Sequence, residues 1–449
     1  MKISCLKGGA PADRPTPQQL RRLALRAPVA AALPWGASGL AAISSGVQAN
    51  TAPTSPRVLT VAAYPALDLI VRDLDTAWRE REPGVALRIV SRSFGDHHAA
   101  ITASFATRKG LPDLMAIEFG YLARFADSGA LADLSDMISP DTDPDHQIVR
   151  YAARQARFGR RLLAIPTDIG PGVTFYRTDL LDASGVSTDD LLGSWESFVA
   201  SGREIRARTG SRLIGHARDL KDAILRSGLD AGEGIYFDAR GRSSLTNERF
   251  ERAFKLALSV RQNDLDARVP AWSNDWSEGL RRGRIATQLT GAWFGGHLAG
   301  WLAPATTGRW RSATLPGGSL TSWGGSFFAI SAASPRRREA WELLKLLAFD
   351  PQRQIDAFRR HDAFPALLAA QQDAYFSEPL PFFGGQQARV QWRNIAQAVR
   401  PISVHRLDPL AEEIVNVELD RVLMRGKAIG RALEDAHRML ERRLARVPR

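Results

Sequence analysis

Leu111-Pro112-Asp113-Leu114-Met115-Ala116-Ile117-Glu118-Phe119-Gly120-Tyr121-Leu122-Ala123-Arg124-Phe125-Ala126-Asp127-Ser128-Gly129-Ala130-Leu131 reads as a short apolar strand over 114–117 that ends in an acidic residue and runs at once into a short helix. Outward from it the same grammar repeats. Residues 57–63 alternate and are rich in Val and Leu. Leu67, Ile70, Val71, Leu74, Ala77 and Trp78 then recur at helical spacing before the turn at Pro83-Gly84, 85–90 reads as the next strand, and a helix follows around 99–107. Strand, helix and strand in this order predict an α/β sheet with helices packed on its faces. Ligands of such sheets bind beyond the carboxyl ends of the strands, where loops and helix N-termini converge. Tyr64, Phe94 and Glu118 each fall just past a predicted strand and are the first candidate ligand contacts.

Two more stretches carry information. Ile165-Pro166-Thr167-Asp168-Ile169-Gly170-Pro171 leads into Phe175-Tyr176-Arg177-Thr178-Asp179-Leu180, and Gly283-Arg284-Ile285-Ala286 leads into Thr290-Gly291-Ala292-Trp293. With the opening stretch they resemble the family 1 extracellular solute-binding proteins, the maltose-binding-protein-like sugar receptors of ABC importers, and the resemblance covers nearly all of the chain after residue 56. It implies an α/β fold of two lobes, the type II periplasmic-binding-protein architecture, each lobe a sheet flanked by helices and joined to the other by a hinge. Residues 57–168 and 326–376 would form the first lobe, 174–322 and 386–449 the second, and 169–173, 323–325 and 377–385 the hinge crossings. The resemblance also implies a carbohydrate ligand in the interlobe cleft, the membrane permease subunits of an ABC importer as partner, a monomer, no cofactor and no catalysis. By the same resemblance Glu118 faces the cleft from the first lobe and Asp168 lies at the first hinge.

With 449 residues, 44% of them apolar and 24% charged, the chain is too long for one ordinary core and has the composition of a folded protein, which points to two lobes. No window after residue 50 approaches the roughly 20 continuous apolar residues that span a bilayer. Residues 1–49 differ in character: a polar leader, then Arg21-Arg22-Leu23-Ala24-Leu25-Arg26, a small-residue apolar run over 27–43, and Val47-Gln48-Ala49. That order is the pattern of an export signal cleaved after Ala49, and it predicts a periplasmic protein. The paired arginines and the weak hydrophobicity, broken by Pro28, Pro34, Gly36 and Gly39, resemble a twin-arginine signal, whereas Leu20 and Ala24 depart from it, so the general secretory route stays open. The single cysteine, Cys5, precedes the apolar run, and a lipid anchor is not expected. The formal charge of +12 owes much to Lys2, Lys7, Arg14, Arg21, Arg22 and Arg26, set against Asp13 alone. The remaining arginines are scattered among acids rather than clustered with aromatics, so no nucleic-acid partner is expected.

Sugar binding in water needs aromatic faces to cover the C–H surface of a pyranose, and carboxylates or amides to accept its hydroxyls. Eleven tryptophans against six tyrosines supply the faces. Trp272 and Trp276 sit four apart beside Asn274 and Asp275, Trp293 follows Gly291, and Trp323 precedes Gly324-Gly325; glycines in such places let a ligand approach the backbone. Trp272, Trp276, Gly291, Trp293, Trp323, Gly324 and Gly325 therefore join Tyr64, Phe94, Glu118 and Asp168 as candidate contacts. Trp78, Trp195 and Trp341 lie in helical patterns and are expected in cores, and Ser334 is expected to cap a helix that starts at Pro335. His97-His98 is a neighbouring pair rather than a His-Glu-x-x-His motif, and no phosphate loop or Gly-x-Ser-x-Gly elbow is present. Two cleft carboxylates are compatible with glycoside hydrolysis, so a secreted glycosidase is an alternative. Receptors for a polyol, glycerol phosphate or polyamine are others; a phosphate would need a cleft arginine, and a polyamine further cleft acids.

Overall fold

The computed structural model describes residues 57–230 and 232–446. The expected export signal and Cys5 lie outside the described residues. Among the described residues there are nine strands. The first three, β1 (Arg57–Ala63), β2 (Val85–Ser91) and β3 (Leu114–Glu118), are parallel, with β1 between the other two. Leu114, Met115, Ala116 and Ile117 are all fully buried, as a parallel strand covered by helices on both faces must be. The helical run expected after β1 is broken at Leu74 into Leu67–Asp73 and Asp75–Arg81, and the helix Phe94–Thr107 starts earlier than expected because Ser93 caps it.

A two-residue hairpin, β4 (Arg157–Phe158) and β5 (Arg161–Leu162), precedes the longest strand, β6 (Ile165–Arg177). Then follow β7 (Thr287–Gly291), β8 (Trp310–Ala313) and β9 (Ser322–Ile330). The main sheet runs β2-β1-β3-β9-β6-β7, with β8 also on β6. β6 serves two partners in succession: from Ile165 to Pro171 it pairs antiparallel with β9, and from Gly172 onward with β7 and β8. Its ladder to β9 is irregular around Pro166 and again between Ile169 and Pro171. Proline has no N–H to donate, so the ladder loosens where the strand passes from one partner to the other. On β9 the bend falls at Gly324 and Gly325, whose φ values of 78° and 131° are open to glycine but strained for other residues.

Two hydrophobic cores lie on either side of this passage. One gathers β1, β3, the start of β6, the end of β9 and the helix Arg337–Ala348, and continues past the crossing to Phe175, Phe294, Trp310 and Trp392. The other gathers the helices Trp195–Thr209, Ala217–Arg226, Glu248–Gln262, Asp408–Arg425 and Ile429–Leu444. Trp78, Trp195 and Trp341 are buried as their spacing requires. One helix start differs from expectation: Ser334 does accept an N–H, from Arg336, but its hydroxyl is drawn to Asp113, and the helix begins at Arg337 rather than Pro335. No helix among the described residues is long and apolar enough to cross a membrane.

The strand passage depends on close backbone approach. A Cβ at Gly170 would fall inside contact distance of the Trp323 carbonyl and against the Trp293 indole. Gly170→Ala is expected to destabilise the protein by about 1–3 kcal/mol, as overpacking does, whereas Gly430→Ala, with nothing within 4 Å of its added carbon, should be neutral. Denaturant unfolding that gives both variants the same midpoint would contradict this seat.

Candidate functional site

The first wall of the site is built at the carboxyl ends of β1, β2 and β3. Glu118 closes β3 and caps the helix Phe119–Ala126, its Oε2 accepting the Gly120 N–H at 2.7 Å. Its own N–H is donated to Nε2 of His98 at 3.1 Å, while Nδ1 of His98 meets the Phe94 carbonyl at 2.9 Å. These two bonds assign His98 as a neutral imidazole with its proton on Nδ1, in line with burial, which pushes its pKa down to about 4. The ring stacks on Tyr121 at 4.0 Å, and Phe94 and Tyr64 pack edge to face at 5.3 Å beside it. Tyr64 is buried and donates to Ser326 Oγ at 2.7 Å, whereas the Phe94 ring is 45% exposed.

Asp168 stands opposite Ser326 in the β6–β9 ladder, so Ser326 joins the first wall to that ladder. Burial raises Asp168 to about 6 against hydrogen bonding from Ser326, and its Oδ1 is buried with no protein partner among the described residues. Burial also raises Glu118 to about 7, with Glu412 and Asp168 adding to the rise and the Gly120 N–H and Arg226 opposing it. The structure therefore brings Tyr64, Phe94, Glu118 and Asp168 into one neighbourhood.

The facing wall was not read from the sequence. It consists of Arg226, the last residue of the helix Ala217–Arg226, with Tyr236 and with Asp408 and Glu412 from the helix Asp408–Arg425. Between these side chains and Glu118, Phe119 and Gly120 lies a cavity of about 150 Å³. Arg226 lies 3.9 Å from Glu412 and rests on the Trp323 ring, 5.3 Å from its centroid. Its Nε and Asp408 Oδ1 are buried without a protein partner among the described residues. Burial lifts Asp408 to about 7, opposed by the N–H of His405 and by Arg226. Arg406 meets Asp127 at 3.1 Å. No local motif marks these residues: they come from a helix end, the loop that follows it and a helix start nearly two hundred positions on, and only the fold joins them.

The remaining candidates form a second group. The Trp293 indole donates to the Trp323 carbonyl at 3.0 Å, in a space that only glycine leaves open at 170 and 291. A Cβ on Gly291 would run into that indole, and one on Gly324 would touch it. The space over Gly291 is thus taken by the protein's own tryptophan rather than left for direct ligand approach. Gly325 lies against the Asp168 backbone and serves the bend in β9. Trp276 is 1% exposed with its N–H on Gln288, so it supports the surface from beneath, contrary to its reading as a contact. Trp272 lies over it, 52% exposed and near-parallel to Trp293.

The sequence matches the family of bacterial extracellular solute-binding proteins over residues 60–354. It is similar to the lactose-binding protein of Rhizobium radiobacter, 26% identical over 345 residues that cover 73% of this chain and 78% of that one. The fold is similar to a crystal structure of an extracellular solute-binding protein of family 1, with a TM-score of 0.75 at 24% identity over 86% of this chain and 99% of the other. It is also similar to the ABC transporter associated binding protein from B. animalis subsp. lactis Bl-04 in complex with β-1,6-galactobiose, with a TM-score of 0.69 at 21% identity over 86% and 97% of the two chains. A strand shared between two partners, a core on each side of it and a cavity where the two sides meet are what a two-lobe type II binding protein requires, and the chain belongs to the bacterial extracellular solute-binding protein family.

Proposed function

We propose that this chain captures a sugar or short oligosaccharide between its lobes and delivers it to the permease subunits of an ABC importer, as an exported, unanchored periplasmic monomer without catalytic activity. In this reading the lobes divide at the boundaries expected from the sequence, with β6 and β9 as two of the crossings. The observation that carries it is the cavity that Glu118, Arg226, Asp408 and Glu412 line together, where Arg226 Nε and Asp408 Oδ1 are buried without a protein partner among the described residues. Buried polar atoms are costly unless bonded, and ring hydroxyls, each both donor and acceptor, suit a set that mixes carboxylates with one guanidinium. The names of the relatives point the same way, to lactose and β-1,6-galactobiose. Three carboxylates, Glu118, Asp408 and Glu412, around one arginine also keep a polyamine in view. Glycerol phosphate is less suited, because Glu412 already stands beside the arginine it would need.

Closure follows from the same arrangement. Ligand contacts from Glu118 on one side and Arg226, Asp408 and Glu412 on the other exist together only when the lobes meet, so binding shifts the population toward the closed form. A cavity of about 150 Å³ is smaller than ordinary ligand pockets of roughly 300 Å³ and more, so the lobes must part for a ligand to enter.

A thermal-shift screen of lactose, β-1,6-galactobiose, maltose and spermidine tests the reading, since a ligand present at a hundred times its dissociation constant stabilises the folded state by about 2.7 kcal/mol. Glu118→Gln should weaken sugar binding by about 1.5–3 kcal/mol in calorimetry. The sugar should be recovered unchanged after a day, and steady release of reducing ends that this substitution abolishes would make the protein a glycosidase. Stabilisation by spermidine alone would replace the sugar with a cation.

Glu118 also has a pH signature. Its pKa is raised on folding, so between its ordinary value of 4.5 and about 7 the native state holds a proton that the unfolded chain has lost. The ligand-free protein therefore loses this part of its stability as pH rises through that window. Glu118→Gln lacks the titration. The melting temperature of the wild type relative to the variant should be lower at pH 8 than at pH 5, and an equal offset at both would contradict the burial assigned to Glu118.

A further inference from the structure

Beyond the cleft the tryptophans continue outward. Trp272 lies near-parallel to Trp293, with centroids 6.2 Å apart and planes 12° apart, and Trp301 lies near-parallel to Trp272 at 6.5 Å and 27°. Such separations belong to offset rings rather than to rings stacked face to face, so each leaves part of a face open. Trp272 and Trp301 are each 52% exposed, among the largest apolar side chains that the described surface presents.

Both are held in unusual backbone. Trp272 has a φ of 69°, a conformation that costs a bulky residue energy and persists only where the surroundings impose it. Trp301 rides on a π-helical turn, Leu298–Leu302, a form that is rare and concentrated at functional sites. Its indole N–H is fixed on Nδ1 of His297 at 3.0 Å, which orients the ring instead of leaving it to sample rotamers. Burial lowers the His297 pKa and so favours the neutral ring that an acceptor at Nδ1 requires. Exposed indoles held in place at this cost are built to present their faces.

We propose that Trp272 and Trp301 form an outer subsite that stacks the sugar units of an oligosaccharide projecting from the cleft, so that the natural ligand has three or more units. The occupant follows from continuity. The row begins at Trp293, which is bonded to the hinge carbonyl of Trp323, and Trp323 in turn carries the cleft arginine on its ring. The inference rests on the sugar reading and adds the length of the ligand to it.

The test uses homologous series, lactose and β-1,6-galactobiose with their trisaccharide and tetrasaccharide extensions and maltose through maltotetraose, titrated by calorimetry into wild type, Trp301→Ala and Trp301→Phe. In a series that binds, the tetrasaccharide should bind the wild type about ten-fold tighter than the disaccharide. Trp301→Ala should remove that gain and leave disaccharide affinity unchanged, while Trp301→Phe should keep part of it. Equal affinity for disaccharide and tetrasaccharide in the wild type, or an equal loss for both in Trp301→Ala, overturns the outer subsite while leaving the cleft reading intact. If no member of any series binds the wild type, the sugar reading itself fails and the subsite falls with it.

Discussion

The hydrogen-bond ladder of β6 is the constraint on which the rest depends. One strand cannot lie in two sheets of different orientation without a place where its ladder loosens, and this one loosens between Ile169 and Pro171. Its partner β9 bends at Gly324-Gly325, directly across from that place. The proposed change in lobe orientation would be absorbed within these few residues, and Asp168 stands at their edge. In the proposed reading, the acid that would meet the ligand and the backbone that would bend are neighbours, so a contact made by one would be felt by the other. Trp293 braces the same spot from the second side through the Trp323 carbonyl, and glycines at 170 and 291 are the condition for its fit.

Around this crossing burial sets the electrostatics. Glu118, Asp168 and Asp408 all have their pKa values raised by burial, and Arg226 is the cleft cation that opposes the rise at Glu118 and Asp408. Each carboxylate keeps one backbone or hydroxyl bond that fixes its direction: Gly120 for Glu118, Ser326 for Asp168, His405 for Asp408. Preorganised groups lose less freedom when a ligand binds. His98 belongs to the same scaffold. Its neutral ring carries a bond at each nitrogen and holds the end of β3 to the helix that follows β2, which sets where Glu118 emerges.

Much of this was legible in the sequence, and the boundary of legibility is physical. Strand β3 could be read because burial on both faces leaves an apolar run, β1 and β2 from their Val- and Leu-rich patterns, and just past their ends stand Tyr64, Phe94 and Glu118, which the fold brings into one neighbourhood. The helical stretches around 67–78 and 99–107 were read from spacing, though one is broken at Leu74 and the other starts earlier, at Phe94. Arg226, Tyr236, Asp408 and Glu412 were not, since a helix end looks alike whether it faces a cleft or solvent. A tryptophan beside glycine was ambiguous in a different way. Gly291 makes room, as its place in the sequence suggested, but the room is for the indole of Trp293. Trp276 and Trp272 share a spacing that suits either a core or a surface, and burial separates them. Trp301 carried no signal at all, because a π-helical turn has no sequence period that sets it apart from an ordinary helix end.

The central claim is that ligand binding draws the two lobes together about β6 and β9. The chain has one cysteine, Cys5, within the expected signal, so spin labels at Ser128→Cys and Glu413→Cys, one on each side of the cleft, can be placed on the exported form without interference. Distance distributions measured by pulsed electron resonance, with and without a saturating sugar from the screen, test the claim most directly. A broad or longer distribution that collapses to a single short one on sugar addition is the expected result; a distribution unchanged by a sugar that calorimetry shows to be bound would contradict it.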